Sequence, residues 1–217
     1  MSKLFKLTDR DGKTWGGAQW GPGVSHSGTG KGELCGPGWI HAYEHPLIAV
    51  LLNPIHADFK TPRLWEAEGE VGLRDGQIKC GCKTLTTVRE IPLPAVTTEM
   101  RVRFAILCAK EVCGADLPWN AWADKWLSGG DRTQAAASAA WAWAASASAA
   151  RASASARAAE AAYAAEDAAE DAAWAAREAA AWAAEAAEDA AAAARAEGHG
   201  IDIFDIAEKA CVSKTVG

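Results

Sequence analysis

Between positions 135 and 196 the chain has no glycine and no proline. The two usual helix breakers are missing there, and 39 of the 62 residues are alanine, the best helix former. A long helical segment is therefore expected. The segment also has no threonine, which excludes the regularly spaced threonines of Ala-rich ice-binding helices. Long apolar runs are absent from the whole chain. The aliphatic run Leu47 to Leu52 is far too short to span a membrane. The first residues, Met-Ser-Lys-Leu-Phe-Lys, lack an apolar signal core, so no signal peptide is expected. Six cysteines, at 35, 80, 82, 108, 113 and 211, are too sparse and scattered for a secreted disulfide framework. The chain has a net charge of −6 and no basic stripe, which argues against direct contact with DNA or RNA. The expectation is a reduced, cytoplasmic protein with neither a membrane nor a nucleic acid as partner.

What is present divides the 217 residues into four parts. Most of the Leu, Ile, Val, Phe and Trp lie before residue 128, so 1–127 reads as a folded head with one core. Residues 128–134 read as a break and helix cap, 135–197 as an Ala-rich arm, and 198–217 as a short amphipathic helix and tail. The head is expected to be α+β, a small mixed or antiparallel sheet with two or three helices. Leu4 to Leu7 alternates as a strand. Asp9-Arg10-Asp11-Gly12 reads as a hairpin turn, with a strand resuming at Thr14-Trp15. Residues 16–38 form a long Gly-rich loop, a kind of segment that is usually functional or mobile. A short strand is expected over Trp39 to His41, and a helix from Pro46 to Leu52, closed by Asn53-Pro54. Arg63 to Val71 alternates, with Leu64, Glu66 and Glu68 on one side and Trp65, Ala67 and Gly69 on the other. Asp75-Gly76 reads as a turn, and Gln77 to Leu85 and Thr86 to Leu93 as further strands. Thr97 or Thr98 would cap a helix through Val112, with Val102, Ala105, Ile106 and Ala109 as its buried stripe. A second helix from Pro118 would carry Trp119, Trp122 and Trp126 on one face, packed on the sheet. Ser128-Gly129-Gly130 is a break. Asp131 and Gln134 then form a capping-box pattern.

The arm has two different faces. Glu160, Tyr163, Asp167, Glu170, Trp174, Arg177, Trp182, Glu185, Glu188 and Arg195 recur mostly every three or four residues, so they share one face of a helix. The opposite face is almost pure alanine and would let another helix approach to the short end of the ~8–10 Å range. The segment holds four Arg against six Glu and three Asp, a net −5, so the acidity of the chain is concentrated there. Unbroken, it would reach on the order of 100 Å. The Ser-rich stretch 146–155 is the point where it could bend into a helical hairpin. The arm is therefore expected to be a single helix or a hairpin. It would either self-associate in coiled-coil fashion into a homo-oligomer, or dock a partner protein through the stripe from Glu160 to Glu185.

Several residues of the head could carry chemistry. His41-Ala42-Tyr43-Glu44-His45 matches the inverted zinc-protease pattern H-x-x-E-H. Pro46 disfavours helical geometry at His45, and that chemistry requires both histidines on one helical face. His56 and Cys35 lie nearby in sequence but at nonstandard spacing. Cys80 and Cys82 are alternate strand residues, so both sulfurs point to one face and could meet one metal or simply pack. Glu90, at a strand end, could join His41 and Tyr43 in a nucleotide pocket beside the Gly-rich loop. The simpler reading pairs it with Arg89, Arg101 or Arg103.

Five blocks together resemble an uncharacterised family of proteins from tailed bacteriophages and prophages. They are GWIHAYEHPL (38–47) running on through IAVLLNPIHADF, RLWEAEGEV (63–71), LTTVREIPLP (85–94), RVRFAILCAKEV (101–112) and WNAWADKWLSGGDRT (119–133). That family is similar also in appending Ala-rich arrays. The resemblance implies a phage accessory protein in the bacterial cytoplasm, and no assigned activity or cofactor. The REIPLP segment also resembles the strand of ADP-ribosyltransferase-like domains that bears the catalytic Glu, which would correspond to Glu90. GWIHAY resembles their aromatic-bearing strand, which would correspond to Tyr43 or His41. Val88 stands where those domains carry a second acidic residue or Gln. Three functions follow as expectations. The first is a non-enzymatic accessory protein that acts in host takeover or counter-defence by binding a host or phage protein, or itself, through the arm. The second is an NAD-using or nucleotide-binding head with the arm for targeting. The third is a minor virion component.

Overall fold

The computed structural model describes residues 2–112, 117–130, 132–133, 189, 192 and 200–212. Packing divides the chain into two compact units, Met1–Ala95 and Val96–Gly217. The sequence reading ended the head at residue 127. The helices after residue 96 group instead with the C-terminal helix, because their buried stripes meet within the second unit. The Ala-rich arm and its stripe lie outside the described residues, apart from Asp189 and Ala192, which are helical and exposed.

The first unit is built on a five-stranded antiparallel sheet. Strand β1 (Ser2–Thr8) pairs with β4 (Arg63–Asp75), and β4 pairs with β5 (Lys79–Ile91). The other edge of β5 takes β2 (Ser25–Ser27) beside Thr84–Thr86 and β3 (Ile40–Ala42) beside Cys80–Cys82. The sheet then closes on itself. Tyr43, just past β3, exchanges two backbone hydrogen bonds with Phe5 of β1, at 2.8 and 2.9 Å. Long strands close in this way because bulges bend them. The β4–β5 register slips at Val88, at Lys83 and at Gly72, each an unpaired extra residue. Gly72 is small for a reason: a Cβ there would run into the Trp39 ring.

Alternation decides which side chains enter the ring. Leu4, Ala67, Leu85, Ala42, Cys80 and Cys82 form one buried cluster, with Trp20 inserted from the Gly-rich loop. Trp65 also points in, and its Nε1 donates to the Thr8 hydroxyl at 3.0 Å. That hydroxyl in turn donates to the Asp9 carbonyl. Helix α1 (Pro46–Leu51) packs beside β1 and buries Ile48 to Leu51. It starts at Pro46 as expected, with His45 as N-cap, its Nδ1 accepting from the Leu47 N–H. A further turn, α2 (Asn53–His56), follows directly.

Two expectations change here. The chain does not return as a hairpin strand after Asp9–Gly12. Asp9 Oδ1 instead accepts from the N–H groups of Asp11 and Lys13, and Trp15–Gly17 forms a 3₁₀ turn, leaving β4 to pair with β1. The two strands expected over 77–93 are one continuous strand, β5, bulged rather than broken at residues 83 and 88. As Pro46 predicts, the H-x-x-E-H residues do not share a helix: His41 is in β3 and His45 caps α1.

In the second unit, α3 (Thr98–Val112) is capped by Thr97, whose Oγ1 accepts from the Met100 N–H at 3.2 Å. Its stripe of Val102, Ala105, Ile106 and Ala109 is fully buried, as the periodicity predicts. Helix α5 (Ile203–Cys211) lies against α3 and is N-capped by Asp202, which accepts from the Phe204 and Asp205 N–H groups. Helix α4 (Leu117–Ser128) ends at Gly129, which has φ +81°. Trp119, Trp122 and Trp126 are buried, and Arg132 stacks on Trp126 at 4.7 Å.

Replacing Thr8 by valine keeps the shape but strands the buried Trp65 N–H. The expected cost is about 1–3 kcal/mol. It should be read as lost amide protection across β4 in hydrogen exchange of the full chain.

Candidate ligand-binding cleft

The Gly-rich loop between β1 and β3 is long because it wraps around one mouth of the curled sheet. Its path is set by close backbone approaches. Gly28 and Gly30 donate to the carbonyls of Lys83 and Gly38, and a Cβ on Gly38 would fall on the Lys31 carbonyl. Between this loop, β1, β3 and α2 lies a cleft of about 660 Å³. That is a common size for a small-molecule site.

The walls are aromatic. Trp15, Trp20, Trp39, Tyr43 and Phe59 all line the cleft. Trp39 is anchored by its Nε1, which donates to the Gly32 carbonyl at 2.9 Å. Trp20 is buried, and its Nε1 donates to Thr14 Oγ1 at 3.1 Å. Trp15 forms the lip. It is 76 % exposed, stacks on Phe59 with ring centres 6.5 Å apart, and donates to the Ala57 carbonyl.

Three histidines add polar edges. His26 Nε2 lies 2.8 Å from the Gln19 carbonyl, and His41 Nε2 bonds the Leu34 carbonyl. A carbonyl only accepts, so both Nε2 atoms carry a proton. Burial holds His41 below its ordinary pKa. The Leu34 bond opposes this, and the Lys6 and Lys79 charges reinforce it. His41 is therefore neutral at pH 7. His56 stacks on Tyr43, with Nδ1 3.1 Å from the phenol oxygen.

Among the described residues Lys6 is the one lysine or arginine of the lining. It shares the inward side of β1 with Leu4, and only 9 % of it is exposed. Its Nζ donates to the His41 carbonyl at 2.6 Å and sits 5.2 Å from the Trp20 ring centre. No carboxylate pairs with it among the described residues. Burial lowers its pKa to about 8, against a smaller opposing effect of the Cys82 and Cys80 thiols.

The candidate residues thus separate. His41 and Tyr43 both line the cleft, and Glu90 does not. The Glu90 carboxylate is held by Arg63, with Nε at 3.0 Å and Nη2 at 2.5 Å. That bond keeps its pKa below the usual carboxylate range. Arg89, one expected partner of Glu90, bonds Glu66 instead, because neighbouring strand residues face opposite ways. Arg101 and Arg103, the other two, belong to the second unit. Cys80 and Cys82 do share one face, as their spacing predicts, and both are fully buried. Their mutual hydrogen bond pushes the Cys80 thiol up and Cys82 down. Among the described residues no three His, Cys, Asp or Glu come together as a metal site. The stripe residues Glu160, Tyr163, Asp167, Glu170, Trp174, Arg177, Trp182 and Glu185 lie outside the described residues.

Sequence reasoning passed over Lys6 and the loop tryptophans. The signals were present: a lysine two residues from Leu4 on an alternating strand, and tryptophans at 15, 20 and 39 in or beside a glycine-rich loop.

Lys6 makes stability pH-dependent. Its pKa is about 8 in the fold against an ordinary 10.5. Between these values the unfolded chain holds a proton that the fold has released, so stability rises with pH. The gain is at most about 3 kcal/mol, complete above the higher value and lost as pH falls to 8. The Lys6→Met variant should lack this rise, which the difference between the two urea-stability curves from pH 7 to 10.5 isolates from the titration of His41, Cys80 and Cys82.

Among the described residues no helix is long and apolar enough to cross a membrane. Comparison of the chain with protein-family models, curated proteins and solved structures returns no match.

Proposed function

We propose that the β-rich unit is a binding module for a small planar molecule, carried by a protein whose Ala-rich segment provides the contact with a partner or with a second copy. The observation that carries the first half is the concentration of five aromatic side chains around one cleft of about 660 Å³. Aromatic walls favour a flat ligand, because stacking and apolar burial act over its whole face. An exposed tryptophan at the lip supports this. A Trp left 76 % in water is unexplained by packing but is suited to covering a ligand.

Binding is favoured over catalysis because among the described residues no carboxylate lines the cleft, and Glu90 is engaged by Arg63 away from it. An ADP-ribosyl transfer assigned to Glu90 would need that residue in the cleft. The uncharged probe N-phenyl-1-naphthylamine tests the binding reading. It should bind the full chain with increased fluorescence, and Trp15→Ala should weaken it about 5–20-fold, or ~1–2 kcal/mol. The melting temperature should hardly change. Unaltered binding in Trp15→Ala, or no binding at all, overturns the assignment of the cleft.

For the partner half, the support is sequence pattern alone: an acidic, aromatic stripe opposite a smooth alanine face. Such a segment fits a phage accessory protein that engages a host or phage protein, or itself. If it self-associates, sedimentation of the full chain gives an oligomer, and the double variant Trp174→Ala, Trp182→Ala shifts it toward monomer. A wild-type chain that sediments as a monomer leaves a heterologous partner as the only form of this reading.

A further inference from the structure

Lys6 raises a question that the aromatic walls do not answer. An ammonium group nine-tenths buried, with no carboxylate to pair with, is costly. Of its three N–H donors only one is used, on the His41 carbonyl. The Trp20 ring offers a second, weaker contact. The remaining donor capacity belongs to a side chain that lines the cleft. The other polar groups of the lining do not neutralise it. His26 and His41 each give Nε2 to a backbone carbonyl, and among the described residues no carboxylate lines the cleft. Among the described residues the lining therefore has a cation, aromatic walls and no carboxylate.

We infer that the ligand of this cleft is an anion, a planar aromatic molecule whose phosphate, sulfonate or carboxylate group reaches Lys6 and supplies the missing counter-charge. This rests on the reading of the cleft as a binding site and adds the charge of what it binds. A charge-assisted hydrogen bond at a desolvated amine is stronger than one between neutral groups. The anion must then reach the inner end of the cleft while its flat portion lies toward Trp15.

A matched pair of probes separates this inference from the reading beneath it. 8-Anilinonaphthalene-1-sulfonate has the same aromatic skeleton as N-phenyl-1-naphthylamine and adds one sulfonate. Adenosine 5′-monophosphate and adenosine form a second pair that differs by a phosphate. On the full chain, the anionic member of at least one pair should bind at least tenfold more tightly than its neutral partner. The preference should persist in Lys6→Arg and disappear in Lys6→Met. Equal affinity for charged and neutral members in the wild-type protein overturns the inference and leaves the planar-ligand reading standing. That comparison needs no variant to fold. Loss of binding of all four probes overturns both. A preference for the anion that survives Lys6→Met also overturns the inference, because the charge would then be read elsewhere.

Discussion

A strand has two edges, and each must find partners for its N–H and C=O groups or give them to water. In β1 one edge is taken along its whole length by β4, and the other by a single residue, Tyr43, through its two bonds with Phe5. That short bridge turns an open sheet into a ring. The consequence is geometrical. Once the ring closes, alternate residues of β1 point into an enclosed space instead of over an open face, and Lys6 is among them. The same bridge sets the Tyr43 ring against His56, and so joins β3 to α2 at the wall of the cleft. Burial of Lys6, neutrality of His41 and the position of Tyr43 all follow from one closure.

Closure also demands bends, and one of the three bulges depends on a small residue. Gly72 is the extra residue of a bulge in β4, and the Trp39 ring occupies the space its side chain would need. Gly81 receives the same indole from the neighbouring strand. Trp39 is thus seated on two glycines and anchored by Gly32 through its indole N–H. A Gly-rich sequence is expensive to order, since glycine loses the most backbone freedom on folding. Here the cost is offset locally by buried tryptophan surface and by loop carbonyls that accept hydrogen bonds, so the loop forms a wall and not merely a connection.

Local pattern made much of this fold legible. The period of two in β1 and β4, the Pro46 helix start, the Thr97 cap and the stripe from Val102 to Ala109 are all short-range signals, and all appear where the pattern puts them. What failed was non-local. The Asp9–Gly12 turn is real, but the partner of β1 is a strand more than fifty residues away, and nothing in a turn motif specifies that pairing. Bulges broke the alternation of β5 enough to make one strand read as two. Glu90 was assigned arginines close in sequence or on the next element, whereas the register of β4 and β5 delivered Arg63. Of the candidate site, His41 and Tyr43 were found because they stand beside a long loop. Lys6 was overlooked because a lysine two residues from Leu4 reads as an edge residue until the strand is known to close.

The ring also sorts charge. Along β4, Trp65, Ala67 and Gly69 take the inward positions, and the glutamates at 66, 68 and 70 take the alternate ones. Glu66 is then held by Lys3 and Arg89, Glu70 by Lys83, and Glu44 by Arg74. These pairs lie in or near water, where each adds little stability. Their larger effect is to keep carboxylates and their partners together on the outside. Alternation leaves Lys6 as the inward charge, and none of those glutamates lies on its side of the strand. A chain with a net charge of −6 can therefore hold a cleft whose own field is positive, because that field depends on the few charges inside the low-dielectric ring. Net charge describes the surface of this protein. The sign of its cleft is set by the phase of a seven-residue strand.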